Sequence, residues 1–290
     1  MAISKKLLLS VLAPVCWGSS FTLAKSTVAH FPPLFMMLMV YTGIAMIMLL
    51  TVREAFKTPW PQLLLISALC VTIQGALLFM AIGEVDATTA NLVLQTQVPA
   101  AVLMGWLIAN ENLNFQKIFG TAVAILGVAI VIGLPEKRPP FIPVAMIIVS
   151  GFIWAAGQVL ARKLSKDSGI MLLKSNALFG VPQLVLATLV METGQWQSII
   201  TATPLDWVLL AFVGFVGFYI AYICWFSLLK IARVDEAAPY ILLMTPVGIV
   251  TAFLVLHERM SLAQIIGAIV LMFGLAIVEG LIKVRRSLAA

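Results

Sequence analysis

The sequence predicts an all-α membrane protein of ten transmembrane helices, arranged as two inverted five-helix repeats with both termini cytoplasmic. Three observations carry this prediction. Of 290 residues, 62% are hydrophobic and only 10% charged, and a mean hydropathy of +1.10 is incompatible with a soluble fold. Apolar stretches long enough to cross a bilayer recur along the whole chain. Part of the chain also repeats itself. Pro99, Glu111, Gly120, Gly127 and Gly133 return as Pro246, Glu258, Gly267, Gly274 and Gly280, and 12 of the 36 positions from 99 to 134 are identical at an offset of 147.

The first span, 5–25, begins with Lys5 and Lys6 and resembles a signal peptide as far as Gly18. No small-residue cleavage site follows and the apolar run continues to Ala24, so an uncleaved helix is expected. Spans two to four are the apolar runs 32–52, 61–82 and 87–109, the last with Pro99 near its middle. The fifth, 115–134, is spaced by glycines that allow close helix packing, and Asn114 is placed to cap it. Residues 135–140, a charged and proline-rich link, cannot continue a helix. They divide the chain into a first repeat at 1–134 and a second at 141–290. The second repeat supplies spans at 141–161, 170–191, 205–229, 236–257 and 262–282. Ser261 and Gln264 read as a capping box for the last of these. Trp17, Leu23, Ala24 and Lys25 match Trp154, Leu160, Ala161 and Arg162 at an offset of 137, so the repeats also correspond at their beginnings. An odd number of spans per repeat makes the second copy enter the membrane from the opposite side. Backbone groups in lipid must be bonded internally, which leaves helices as the spanning element.

The net charge of +6 is unevenly distributed. One side of the predicted topology carries 13 basic residues, among them Lys5, Arg53, Lys117, Arg162, Lys163, Lys230 and Arg285; the other carries only Lys25, Lys137, Arg138 and Arg259. This is the positive-inside pattern of a membrane protein, and it argues against nucleic acid as a partner. Cys16, Cys70 and Cys224 all fall within apolar spans and read as buried, inert thiols.

A five-span repeat ending in Pro99…Glu111…Gly120…Gly127, again in Pro246…Glu258-Arg259…Gly267…Gly274, resembles the EamA domain. Trp17-Gly18, followed by Ser19 and Phe21, is similar to the opening of that family's first helix. The resemblance covers essentially the whole chain as two EamA units, and within the drug/metabolite transporter superfamily it is greatest to the YddG-type aromatic amino-acid exporters. It implies export of small metabolites across the bacterial inner membrane, with a small-molecule substrate and the lipid bilayer as partners and a single chain as the working unit.

The residues themselves point to an uncharged cavity. Every acidic residue lies at a span end or in a loop, which favours a facilitator over a proton-driven pump. On the fourth span Thr88, Asn91, Gln95 and Pro99 share one face, with Gln97 beside it. An amide facing hydrocarbon is costly, so this stripe looks into protein or into a wet cavity, as interhelical glue or as a substrate surface. Gln74 and Gln158 carry the same two readings. Aromatic candidates are Trp17 and Trp154 at matching places, Tyr41, and Tyr219, Tyr222 and Phe226 with Trp225 beside them; packing and substrate contact both account for them. Pro99 and Pro246 should free the carbonyls of Gln95 and Leu242 and kink their helices, as hinges or as static bends, with Tyr240, Met244 and Thr245 around the second kink.

Glu111 and Glu258 are expected to brace the turn between the last two helices of each half, with gating as the other reading, and Lys25 and Arg162 either to attract a carboxylate or to snorkel to the interface. Rings and amides without charge suit a zwitterion with an apolar side chain. Organic cations would call for a buried carboxylate, and phosphorylated cargo for deep Lys or Arg. An intramembrane enzyme would need clustered His, Asp, Glu or Cys at depth. No catalytic set, metal site, cofactor or nucleotide-binding loop is expected.

Overall fold

A computed structural model describes residues 5–133, 139–231 and 238–283. Residues 135–138 of the predicted link and the first two residues of the predicted ninth span lie outside the described residues. The described residues are helical throughout, with short connections. In order the helices are α1 Lys5–Val28, α2 Pro33–Thr51, α3 Trp60–Ile82, α4 Ala87–Ala109, α5 Phe115–Gly133, α6 Phe141–Leu164, α7 Gly169–Met191, α8 Gln195–Thr201, α9 Pro204–Leu228, α10 Tyr240–Leu256 and α11 Leu262–Val278. Eight of them are long and apolar enough to cross a membrane, and α10 and α11 are shorter apolar helices. The short helix α8 has no counterpart among the predicted spans.

Helix boundaries follow local chemistry. Prolines occupy the first turns of α2 and α9, where an N–H would be unpaired anyway. Ser168 accepts from Met171 N at the start of α7, and capping boxes open α9 (Thr203 with Asp206) and α11 (Ser261 with Gln264). Helices α3 and α9 each pass into π-type turns after eight regular residues, at Ala68–Ile73 and Phe212–Ile220, so an irregularity recurs at the same place in both halves.

The most extensive helix contacts cross between the halves: α5 with α11, α1 with α9, α3 with α6, α4 with α6, α1 with α10, and then α2 with α7. Two of these pairs join counterparts, and both run antiparallel. The Leu34 end of α2 meets Glu192 beyond the end of α7, while Val52 beyond the other end of α2 meets Lys174 near the start of α7. Gly120 of α5 faces Gly274 and Val278 of α11, whereas Gly127 faces Gly267 and Leu271. The two copies are therefore inverted with respect to each other.

The repeated prolines shape α4 and α10 differently from the sequence expectation. Gln95 does not keep a free carbonyl; it accepts from Val98 N at 3.0 Å. The helix tightens into three-residue turns at Gln95 and Thr96 and restarts at Gln97. In α10 a 3₁₀ segment, Ala238–Leu243, passes into α-helix at Met244. Pro99 and Pro246 thus sit in the first turn of a renewed helix, where no intrahelical N–H is required of them. The offset of 147 is kept to the ends: these segments stop at Ala109 and Leu256, followed by left-handed Asn110 (φ 53°) and His257 (φ 55°).

The seam between α5 and α11 depends on glycine. A Cβ on Gly127 would stand 2.3 Å from Leu271 N, and one on Gly274 would stand 2.3 Å from Ala124 N, both backbone atoms that cannot yield separately. Gly43 on α2 has nothing within 4 Å of such a Cβ. Gly127→Ala is expected to destabilise the detergent-solubilised protein by about 1–3 kcal/mol through overpacking. Gly43→Ala is expected to be neutral or to stabilise by up to about 1 kcal/mol through helix propensity. Melting curves followed by size-exclusion fluorescence check the contrast, and equal melting temperatures for the two variants would refute it.

Candidate functional site

A cavity of about 600 Å³ lies between the halves. Helices α1, α3, α4, α6, α9 and α10 supply most of its lining, joined by Tyr41 of α2, Lys117 of α5 and Val278 of α11. One wall is aromatic. Trp17 meets Tyr222 edge-on at 5.4 Å and Trp225 at 5.8 Å, and Tyr222 stacks on Phe226 at 5.8 Å. Deeper in, Phe21, Phe79, Phe218 and Tyr41 form a connected ring cluster with centroid separations of 5.7 to 6.3 Å. The lining also carries Gln74, Gln97, Trp154 and Gln158, with Gln158 Nε2 3.7 Å from Cys70 Sγ. Such a lining offers stacking area together with a few amides that can orient a polar group.

The sequence candidates divide. Trp17, Gln74, Trp154, Gln158, Tyr222 and Met244 line the cavity; Asn91, Gln95, Tyr219 and Tyr240 do not. Asn91 is buried in packing: its Nδ2 donates to Thr22 Oγ1 at 2.9 Å and to Ala87 O at 2.8 Å, and its side chain lies against Gly248. Gln95 is wholly buried and its amide has no hydrogen-bond partner among the described residues. The polar stripe on α4 therefore faces α1 and α10, not the cavity. Tyr219 stacks on Phe215 at 5.5 Å and lines a separate apolar groove between α2 and α9. The π-type turns of α9 put Phe218, Tyr222 and Phe226 on the cavity side in its place. Tyr240, half-buried at the start of α10, lies away from the cavity.

The cavity is not uncharged either. Glu111, Lys117, Arg162 and Glu279 line one end of it, because the cavity runs out to the rim of the bundle there. Arg162 pairs with Glu111, their side chains 63% and 37% exposed. The opposite rim carries the counterpart pair, Lys25 with Glu258 at 2.9 Å, only 26% and 16% exposed and outside the cavity. Glu258 also accepts from Ala87 N at 2.9 Å, Thr88 N at 3.0 Å and Thr88 Oγ1 at 3.2 Å, which seats its carboxylate on the first turn of α4. The cavity is thus open at the Arg162 end and shut at the Lys25 end. Both glutamates reach beyond their own turns to the other half of the chain, Glu111 while its carboxylate lies over Gly105 of its own α4. One signal for the charged mouth was present in the sequence: Arg162 follows Gln158 by four residues, as Gln158 follows Trp154, so the three share a helix face.

Comparison with known proteins agrees with this two-copy architecture. The EamA-like transporter family matches residues 4–133 and again 141–279. The "Probable amino-acid metabolite efflux pump" of Salmonella typhimurium is 29% identical over 288 residues, covering 96% of each chain. A protein of the same description from Escherichia coli K12 is 28% identical over 278 residues, covering 93% of each. A solved crystal structure, 17% identical, superposes with a TM-score of 0.68 over 97% of this chain and 98% of its own, and so shares the fold.

The rim carboxyls titrate differently. Burial alone would raise Glu258, but the N–H groups of Ala87 and Thr88 and the Lys25 ammonium outweigh it and hold the carboxyl below its ordinary 4.5. At the open end burial raises Glu279, with Lys117 opposing. A group whose folded pKa is lowered stabilises above its ordinary pKa and loses that contribution as pH falls through the lowered value. The native protein should therefore exceed Glu258→Gln in stability by about 1–3 kcal/mol at neutral pH. The gap should close as pH falls below the ordinary 4.5 and through the lowered value, where the carboxylate protonates. Paired melting curves across that range check this, and a gap independent of pH would refute it.

Proposed function

The chain belongs to the EamA-like transporter family, and from that membership we propose that it exports aromatic or bulky neutral amino acids across the bacterial inner membrane by alternating access. One observation carries the reading: a ring-and-amide cavity open at one rim and latched at the other by Lys25 and Glu258. The printed description of the Salmonella and Escherichia relatives, amino-acid metabolite efflux pumps, supports an amino-acid cargo. With all ten apolar helices crossing the membrane and the basic loops inside, both termini and the Arg162 rim face the cytoplasm, where cargo loads. Pro99 and Pro246 mark where α4 and α10 restart, and bending there would open the latched rim as the other closes. One chain encloses the whole cavity, so a monomer suffices. Facilitated movement down a gradient needs no cofactor.

Counterflow of labelled L-tryptophan and L-phenylalanine in proteoliposomes tests the proposal. The native protein should exchange both. Trp17→Ala and Tyr222→Ala should each lower exchange by about tenfold, since each removes a ring from the aromatic wall. Tyr219→Ala, on the separate groove, should leave it within about twofold. Exchange of organic cations such as ethidium with no amino-acid exchange would overturn the assignment.

A further inference from the structure

Trp154, Gln158 and Arg162 form a stripe along α6, and all three line the cavity. At ~1.5 Å rise per residue, Gln158 stands ~6 Å and Trp154 ~12 Å above Arg162. An aromatic side chain reaches a little over one helical pitch, ~5.4 Å, from its α-carbon. A substrate held by its charged ends at Arg162 therefore lays its ring along Gln158 toward Trp154 and the aromatic wall.

The partner of Arg162 is placed for the other half of such a substrate. Asn110 in left-handed conformation turns the chain back, and Glu111 lies over Gly105, where a Cβ would stand 2.8 Å from Glu111 Oε2. Lys163 Nζ donates to Ile108 O at 2.9 Å, tying the end of α6 to the end of α4 and fixing the spacing of the pair. The pair is nonetheless weakly committed. Its members are 63% and 37% exposed, and water-exposed ion pairs contribute little net stability. Guanidinium offers five N–H donors in a fork that suits a carboxylate, and among the described residues its hydrogen-bond partner is Glu111. The counterpart Lys25–Glu258 is different in kind, because Ala87 and Thr88 also hold its carboxylate. Lys117 and Glu279 add one further charge of each sign to the same mouth, so the lining favours neither a lone cation nor a lone anion.

Resting on the amino-acid reading above, we propose that Arg162 and Glu111 are the docking point for a zwitterion: Arg162 takes the α-carboxylate and Glu111 the α-ammonium as their mutual pair opens. The two residues then determine specificity, admitting free amino acids over amines and carboxylic acids that carry the same ring.

The test is counterflow of labelled L-tryptophan in proteoliposomes of the native protein, Arg162→Gln, Arg162→Lys and Glu111→Gln, competed by L-tryptophan, tryptamine and indole-3-propionate. The native protein should prefer tryptophan over either analogue by at least about tenfold, the value of one charge-assisted contact. Arg162→Gln should lose the preference over tryptamine and keep the preference over indole-3-propionate. Glu111→Gln should show the reverse, and Arg162→Lys should be intermediate. Glu111→Gln decides the matter should Arg162→Gln not fold. A native protein that exchanges tryptophan, with variants that keep both native ratios, overturns the docking point alone. A native protein that exchanges neither tryptophan nor phenylalanine overturns the amino-acid reading and the docking point together.

Discussion

The fold depends on carboxylates of one half seated on helix starts of the other. Glu258 accepts from Ala87 and Thr88 at the start of α4, Glu192 accepts from Leu34 and Phe35 at the start of α2, and Asp167 accepts from Lys57 and Thr58 just before α3. The first N–H groups of a helix have no intrahelical partner and carry its positive dipole end, so an acidic side chain satisfies two needs at once. A membrane helix pair lacks the hydrophobic drive that joins helices in water, which makes such polar contacts and close small-residue seams decisive. All three helices belong to the first half and all three carboxylates to the second. Together with the α5–α11 seam, they make the halves hold each other rather than fold side by side.

Length and hydropathy made the helices legible, because bilayer thickness constrains both directly. The apolar run 87–109 is the helix Ala87–Ala109, and 115–134 is Phe115–Gly133. The repeat was legible to single-residue accuracy: Gln97 and Met244 both open renewed helix. What escaped was anything set by helix rotation or by distant partners. Asn91 and Gln95 form the same polar stripe whether they face a cavity or a neighbouring helix; the close approach of Gly248 to Asn91 decides it, and that lies 157 positions away in sequence. The partner of Lys25 is 233 residues distant. A proline frees a carbonyl only where the helix continues through it, whereas α4 tightens at Gln95 and restarts at Gln97. The short α8 has seven residues, too few to show a helical period.

The same sequence pattern is held in two different states within one molecule. Lys25 and Arg162 correspond, as do Glu258 and Glu111, yet one pair is sealed and the other stands in an open mouth. Inverted copies permit this, because closing one rim of the bundle and opening the other exchanges the roles of equivalent residues. Under the proposed cycle the opposite state needs no new kind of contact. The two states then differ in free energy only through the residues at which the copies diverge, Lys against Arg among them. That is the condition for an equilibrium between states a few kcal/mol apart, which a ligand can shift.

The packing beneath the sealed rim bears on how firmly it is shut. Gly18 lies so close to α10 that a Cβ there would stand 2.4 Å from Met244 O, and Thr22 Oγ1 donates to Gly248 O at 3.0 Å. Asn91 Oδ1 lies against Gly248 in this contact, and it, both polar atoms of Gln95 and Thr245 Oγ1 are buried with no hydrogen-bond partner among the described residues. A buried polar atom without a partner costs about 1–3 kcal/mol. Such groups oppose closure, and on opening they would gain water. The close glycine packing and the four donors gathered on Glu258 must outweigh them for the rim to stay shut. Under the proposed cycle, opposing local terms of similar size would leave the latch at Glu258 a margin small enough for transport to reverse.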